Sequence, residues 1–248
     1  MIKSVLNRYK SFPIQVKASL WFLICSFLQK GISTVTTPIF TRIMNTTEYG
    51  QYNVFNSWLS IASIFVSLSL TGGVYAQGLV KFEKDRNVFT SSLQGLTLLL
   101  VAVWMVIYFI FHDFWNQLFT LSSVQMIAML VIIWTTAVFS FWSTEQRVNY
   151  KYKALVVITL VVSLAKPMVG IFCVSVTNDK VSARILGIAL VELIGYAWLF
   201  FIQVKRGEVL FSKKYWVYAL SFNLPLVPHY LSQTVLNSAD RIMIRDLD

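Results

Sequence analysis

Seven apolar runs, each close to the roughly 20 residues that a membrane-spanning helix needs, constrain this chain more than any other feature of its sequence. Only 13% of its 248 residues are charged, and its mean hydropathy is +0.65. A soluble domain has about a quarter of its residues charged. The sequence therefore predicts an all-α polytopic membrane protein. The runs cover residues 17–39, 51–75, 88–111, 124–144, 154–176, 183–203 and 216–238.

The basic residues are distributed unequally between the two sides of these runs. Fourteen of the 21 lysines and arginines lie in the N-terminal segment and in the second, fourth and sixth loops, whereas the opposite loops hold three. By the positive-inside rule this pattern places the N-terminus in the cytoplasm. The net charge of +10 does not indicate nucleic-acid binding, because the charges flank apolar runs and form no separate patch. Residues 1–12 have apolar side chains at helical spacing and are predicted to lie on the membrane surface as a short helix.

Apart from Lys17 and Arg184, which stand at the ends of their runs and are counted with the flanking segments, three charged residues fall inside the apolar runs: Lys30, Lys166 and Glu192. At 1.5 Å per residue, all three lie at a similar depth, about 20 Å from the cytoplasmic ends of their helices. A lysine at the centre of a bilayer costs about 2.5–3.5 kcal/mol on the insertion scale. Lys30 could meet this cost by facing a wet cavity or by extending toward the outer surface. Lys166 could bind a substrate, or could form an ion pair with Glu192 on the next helix.

Bends are expected in the first, fifth and seventh runs. Gly31 and Pro38 interrupt the first run, Pro167 follows Lys166, and Pro225 and Pro228 interrupt the seventh. Proline in a spanning helix frees backbone carbonyl groups, which is tolerated where they face protein or a water-filled cavity. We therefore predict that Gly31, Pro38, Pro225 and Pro228 act as hinges.

A short internal repeat links the first and seventh runs. Residues 41–44 read TRIM and residues 240–243 read DRIM, an offset of 199 residues. Six spans lie between the two copies, so both have the same orientation. This indicates a parallel repeat, in which one six-helix lobe is followed by another.

Two segments carry a resemblance to a known family. PIFTRIMNTTEYGQYNVF (residues 38–55) and FNLPLVPHYLSQTVLNSADRIMI (residues 222–244) resemble the signatures of Wzx-type polysaccharide biosynthesis flippases. These transporters belong to the superfamily that also contains the MATE multidrug exporters. The resemblance implies a MATE-like six-helix N-terminal lobe over residues 1–215, and the first helix of a second lobe over residues 216–248. It also implies that most of the second lobe is missing after Asp248.

The resemblance further implies a function. The expected activity is translocation of polyprenyl-pyrophosphate-linked oligosaccharide (O-antigen, capsule or exopolysaccharide units) across the bacterial cytoplasmic membrane by alternating access. A polysaccharide polymerase is an expected partner, together with membrane lipids. No cofactor or metal is expected, although H⁺ or Na⁺ could drive transport.

Specific residues are candidates for these roles. Lys30, Lys166, Arg42 and Gln29 are predicted to bind the anionic substrate, because a lysine is a point-charge partner for phosphate. Glu192 and His229 are candidates for ion coupling or for structural roles, and a histidine changes its charge near neutral pH. Asp240 and Arg241 are expected to form a local ion pair at the end of the seventh helix.

Two other functions remain open at this point. A MATE-type ion-coupled multidrug exporter fits the hydropathy, but cationic drugs call for acidic cavities, and the interiors of the spans hold two lysines and one glutamate. A membrane-embedded enzyme would need clustered carboxylates, a metal-binding set or a phosphate-binding glycine loop. The sequence shows none of these, so a transporter is the preferred interpretation.

Overall fold

The computed structural model describes residues 12–245, with side chains described as far as residue 236. Nearly all of the predicted surface helix at residues 1–12 lies outside this range. In this range the chain forms a bundle of α-helices. Two short 3-10 turns, Glu83–Asp85 and Leu224–Leu226, lie between consecutive helices. The α-helices are α1 (Ile14–Ile43), α2 (Thr46–Ser67), α3 (Gly73–Lys81), α4 (Arg86–Ile110), α5 (His112–Phe119), α6 (Ser123–Val148), α7 (Tyr152–Val176), α8 (Lys180–Gly207), α9 (Lys213–Asn223) and α10 (Val227–Arg245).

Five helical segments of the described chain are long and apolar enough to cross a membrane. They are α1, α4 together with the 3-10 turn before it, α6, α7 and α8. They coincide with the first, third, fourth, fifth and sixth apolar runs. The prediction of an all-α polytopic membrane protein is confirmed.

The second apolar run is not one continuous helix, which corrects the sequence prediction. Helix α2 ends at Ser67, and Leu68 and Ser69 follow in the left-handed conformation, with φ of 48° and 50°. A right-handed helix cannot continue through two left-handed residues, and this conformation is itself unfavourable because it brings the Cβ atom close to the following carbonyl oxygen. The turn brings Leu70 and Val74 into a fully buried apolar cluster. Burial of these side chains offsets the strain of the turn.

The seventh run is also divided. Helix α9 stops at Asn223, Pro225 lies in the 3-10 turn, and α10 begins at Val227. Proline has no N–H group for the helical ladder, so a break at this position agrees with the expected bend. By contrast, α1 continues without a break through Gly31 and Pro38. The bend and the hinge role expected for these two residues remain predictions.

Helix α8 is the centre of the bundle and packs against α4, α6 and α7. Helix α1 lies at the edge and packs mainly on α7, while α10 packs on α2. Close approach of α4 and α8 requires Gly207, because a Cβ atom there would collide with Ser91 and with the carbonyl group of Asn87. The bundle thus places charged residues of α7 and α8 beside the inner face of α1.

Candidate functional site

Lys166 and Glu192 form an ion pair between α7 and α8. The Lys166 ammonium lies 2.6 Å from Oε1 of Glu192. The Glu192 side chain is only 5% exposed, and that of Lys166 is 32% exposed. The two residues lie at matching depth on adjacent antiparallel helices, as the sequence predicted, and the expected pair is present.

The second carboxylate oxygen of Glu192 is held from α6. Thr135 donates a hydrogen bond to Oε2 at 2.8 Å, and Thr136 donates to the same oxygen at 3.1 Å. A buried carboxylate needs such donors, since burial of an unpaired charge is costly. Three helices therefore fix Glu192, and one side of the Lys166 side chain is left facing a cavity.

Arg184 is a buried cation that the sequence analysis did not identify as a site residue. It was counted among the loop residues, because it stands at the start of the sixth apolar run. In the structure it is 8% exposed, and its guanidinium carbon lies 3.7 Å and 3.6 Å from the ring centres of Phe40 and Tyr52. One guanidinium nitrogen also donates to the sulfur of Met44 at 3.6 Å.

Arg184 has no ion-pair partner among the residues with described side chains. Two aromatic faces stabilise the guanidinium through cation–π contacts, which strengthen when water is excluded. They do not neutralise its charge. The arginine therefore keeps a net positive charge inside the bundle.

Lys166 and Arg184 line the same cavity, which has a volume of about 310 Å³. We call it the anion cavity, and it lies between α1, α2, α7 and α8. Gln29 lines its wall and donates to Oγ of Ser163 at 3.1 Å. No carboxylate is among the described residues that line it. The cavity therefore combines two cations with neutral hydrogen-bonding groups.

Glu192 lies between the anion cavity and another polar cavity. Thr136, which donates to Glu192, lines a cavity of about 420 Å³ together with serines of α2, Ser60 and Ser63 among them. Lys166 approaches Glu192 from the anion cavity. A carboxylate with one partner on each side is well placed to respond to changes in either cavity.

Lys30 does not line the anion cavity, although its neighbour Gln29 does. It is exposed and belongs to a polar stripe on α1 that we define as Ser26, Lys30, Ser33, Thr34, Thr37 and Thr41. The spacing of three and four residues puts them on one face. The hydroxyl groups of Ser26, Thr34, Thr37 and Thr41 donate to carbonyl groups of α1 itself. Lys30 is the one charged residue of this stripe, and its role in binding remains a prediction.

The remaining candidates are dispersed. Arg42 is exposed in the last turn of α1. His229 is exposed in α10, with its ring 6.0 Å from that of Tyr230. The side chains of Asp240 and Arg241 lie outside the described residues, so their expected ion pair stays a prediction.

The fold and the buried charges define a polytopic helical membrane protein with a polar cavity in its spanning region. A family model described as "Polysaccharide biosynthesis protein" matches residues 16–248. The chain belongs to this family. The family assignment agrees with the resemblance seen in residues 38–55 and 222–244.

Among curated proteins, the chain is similar to a protein of the Lsg locus of Haemophilus influenzae. The two are 24% identical over 250 residues, which cover 92% of this chain and 56% of the relative. The chain thus spans little more than half the length of that relative. No solved structure matches the chain.

Proposed function

We propose that this chain is part of a flippase that moves anionic, polyprenyl-pyrophosphate-linked oligosaccharide units across a bacterial cytoplasmic membrane. The family supports a polysaccharide-related flippase of the membrane rather than an enzyme. The substrate class, the mechanism and the cytoplasmic location of the N-terminus belong to the proposal. A polysaccharide polymerase is the proposed partner.

The observation that carries the proposal is the uncompensated charge of Arg184 beside the anion cavity. Phosphate and pyrophosphate groups are bound by arginine through paired hydrogen bonds. Arg184 precedes Glu192 by eight residues, so it lies about 12 Å closer to the N-terminal end of α8. Lys166, which pairs with Glu192, therefore stands at a different depth from Arg184. An anion that moves along the cavity could pass from one cation to the other.

The same charges argue against a multidrug exporter of the MATE type. A cationic drug would need a carboxylate that faces the cavity. In the described chain Glu192 is engaged by Lys166 and two threonines, and the free charge at the cavity is positive. The cavity is therefore better suited to an anionic head group than to a cationic drug.

We further propose that Glu192 takes part in coupling transport to H⁺ or Na⁺. An anionic substrate that binds Lys166 would compete with Glu192 for the ammonium group. The released carboxylate could then accept a cation from the side of Thr136. Transport of each substrate molecule would in this way be accompanied by binding of one cation to the Glu192 carboxylate.

Binding of inorganic pyrophosphate to the purified chain tests the anion site. We expect wild-type protein to bind the probe, and the combined change of Arg184→Gln and Lys166→Met to weaken binding at least about tenfold, as loss of charge-assisted hydrogen bonds predicts. Arg147→Gln is the matched control, because Arg147 also stacks on a ring, that of Phe22, but lies at the opposite end of the bundle. Equal binding by all three proteins would refute the site.

A further inference from the structure

Two lysine side chains lie on a group of aromatic rings at one end of the spanning bundle. The Lys81 ammonium, at the end of α3, lies 4.5 Å from the ring centre of Tyr218 and 5.7 Å from that of Phe82. The Lys214 ammonium, in the first turn of α9, lies 5.3 Å from the centre of the same Phe82 ring and 5.1 Å from that of Tyr215. Cation–π contacts therefore hold both lysines over the rings. We call the two lysines and the three rings the lysine–aromatic cluster.

The cluster carries two positive charges that repel each other. Among the residues with described side chains, neither lysine has a carboxylate oxygen within 4.0 Å. The acidic residues of the adjacent 3-10 turn have other partners, since Glu83 pairs with Arg86 at 3.4 Å and Asp85 accepts a hydrogen bond from a tyrosine of the cluster at 3.2 Å. An anion that contacts both ammonium groups would offset their repulsion.

A shallow, mostly apolar groove leads away from the cluster between α3 and α9. Side chains of both helices line it: Ala76, Gln77, Val80, Lys81, Tyr218 and Phe222. Because Lys81 ends α3 and Lys214 begins α9, the cluster lies at one end of the groove. Ala76 and Phe222 lie at least one helical turn farther along it. The groove therefore presents an apolar surface with a cation at its end.

The cluster lies at the level where a spanning segment begins. The segment Glu83–Ile110, which is long and apolar enough to cross a membrane, starts two residues after Lys81. Lysine and aromatic side chains at such a position lie near the lipid head groups, where anionic lipids attract basic residues. A soluble anion would use the cluster and leave the groove empty, whereas a lipid with an anionic head group matches both.

We infer that the lysine–aromatic cluster and its groove bind an anionic phospholipid of the phosphatidylglycerol type. The phosphate group contacts Lys81 and Lys214, and one acyl chain lies in the groove. Phosphatidylethanolamine fits less well, because its own ammonium group adds a positive charge beside the two lysines. The site shares no lining residue with the anion cavity and is independent of the proposed transport activity.

Native mass spectrometry of the purified chain, titrated with phosphatidylglycerol in detergent, tests the role of the two lysines. The double variant Lys81→Gln, Lys214→Gln should weaken binding at least about tenfold, because two lysines near the head group are lost. Lys84→Gln, Lys213→Gln is the matched control, since it removes the same charge from exposed positions of the same two segments, and it should bind as tightly as wild type. Equal losses in the two double variants would reduce the effect to net charge and overturn the inference.

The groove is tested with both lysines in place. Ala76→Trp should weaken binding of phosphatidylglycerol, because the added ring fills the groove. Val217→Trp is the matched control, since Val217 is exposed on α9 outside the groove, and it should leave binding unchanged. Wild-type affinity in Ala76→Trp would mean that the groove holds no acyl chain, which contradicts the inference.

Titration of the wild-type chain with related ligands identifies the occupant. Phosphatidylglycerol should bind at least about tenfold more tightly than phosphatidylethanolamine with the same acyl chains, and than glycerophosphoglycerol, which has no acyl chains. Equal affinity for glycerophosphoglycerol would assign the cluster to a soluble anion. Tighter binding of a polyprenyl phosphate would assign it to the transported lipid, and loss of the site in the full-length protein would show that the rest of that protein covers the groove. Each of these three results would overturn the inference.

Discussion

Arg184 has two aromatic rings where a buried cation usually has a carboxylate. Phe40 comes from α1 and Tyr52 from α2, and both lie within 3.7 Å of the guanidinium carbon, measured to the ring centres. The planar guanidinium stacks on both rings and keeps N–H groups at its edge for another partner. The ammonium of a lysine cannot combine these two contacts. An arginine and a lysine at position 184 should therefore differ in function, although their charges are equal.

Arg184→Lys should reduce pyrophosphate binding although the charge is kept. We expect a loss of roughly tenfold in affinity, because a bidentate and stacked contact is replaced by a point charge. Isothermal titration at two salt concentrations measures the effect. Wild-type affinity in Arg184→Lys would mean that charge alone is recognised, and the aromatic stack would then have only a structural role.

The Lys166–Glu192 pair should reveal its role through single and double variants. Lys166→Met alone leaves a buried carboxylate with two threonines, and loss of one partner of a buried pair typically costs about 3–5 kcal/mol of unfolding free energy. The double variant Lys166→Met, Glu192→Leu should recover most of that loss. Thermal unfolding in detergent measures stability, and polysaccharide output of cells that express the full-length variants measures transport.

The two measurements separate structure from function. A double variant that is stable but inactive supports binding and coupling by this pair. A double variant that is both stable and active assigns the pair to helix packing alone, and the proposal for Glu192 would then be abandoned.

At the scale of elements, α1 presents three different faces. One face packs on α7, and the polar stripe that includes Lys30 and Thr34 occupies a second face. The third face is apolar and exposed, with Leu20, Ile24, Leu28, Val35 and Ile39. In a bilayer the apolar face suits the lipid, because hydrocarbon contacts leave no polar group unsatisfied. The polar stripe is better suited to water or to further protein.

Glycines in the bundle have different roles, and alanine substitutions distinguish them. Gly207→Ala should lower stability by about 1–3 kcal/mol, because the added methyl group overpacks the contact of α8 with Ser91 and Asn87 of α4. Gly31→Ala meets no atom within 4 Å and should stabilise α1 slightly. If Gly31 is a hinge, this variant loses transport while its melting temperature is kept. Unchanged transport in Gly31→Ala would end the hinge hypothesis for this residue.

At the scale of the whole molecule, local sequence patterns predicted the class and five of the spans. A run of about 20 apolar residues is a local property, so α1, α4, α6, α7 and α8 could be located without the structure. The Lys166–Glu192 pair was also predictable, because adjacent antiparallel helices bring residues of equal depth together. The turn at Leu68 was not predictable. The apolar composition continues through it, and the turn depends on the tertiary packing that buries Leu70.

Arg184 shows the limit of this approach. Its position near a loop is typical of an interfacial arginine, and nothing nearby in sequence marks it as buried. The rings that hold it belong to α1 and α2, far earlier in the chain. Pairings of this kind depend on tertiary packing, which hydropathy does not encode. The available signals for a buried arginine were Phe40, near the end of α1, and Tyr52, near the start of α2.

Alternating access makes a prediction about the faces of α1 that needs no knowledge of the substrate. In a background without Cys25 and Cys173, Thr34→Cys places a thiol on the polar stripe and Val35→Cys places one on the apolar face, at nearly the same depth. We expect a membrane-impermeant maleimide to label Thr34→Cys of the full-length protein from either side of the membrane, because the stripe would face water in both states. Val35→Cys should stay unlabelled, since lipid covers it. If substrate is transported while Thr34→Cys reacts from one side only, the polar stripe is not exposed to the two sides in turn, and Lys30 then has no path along which to meet a moving anion.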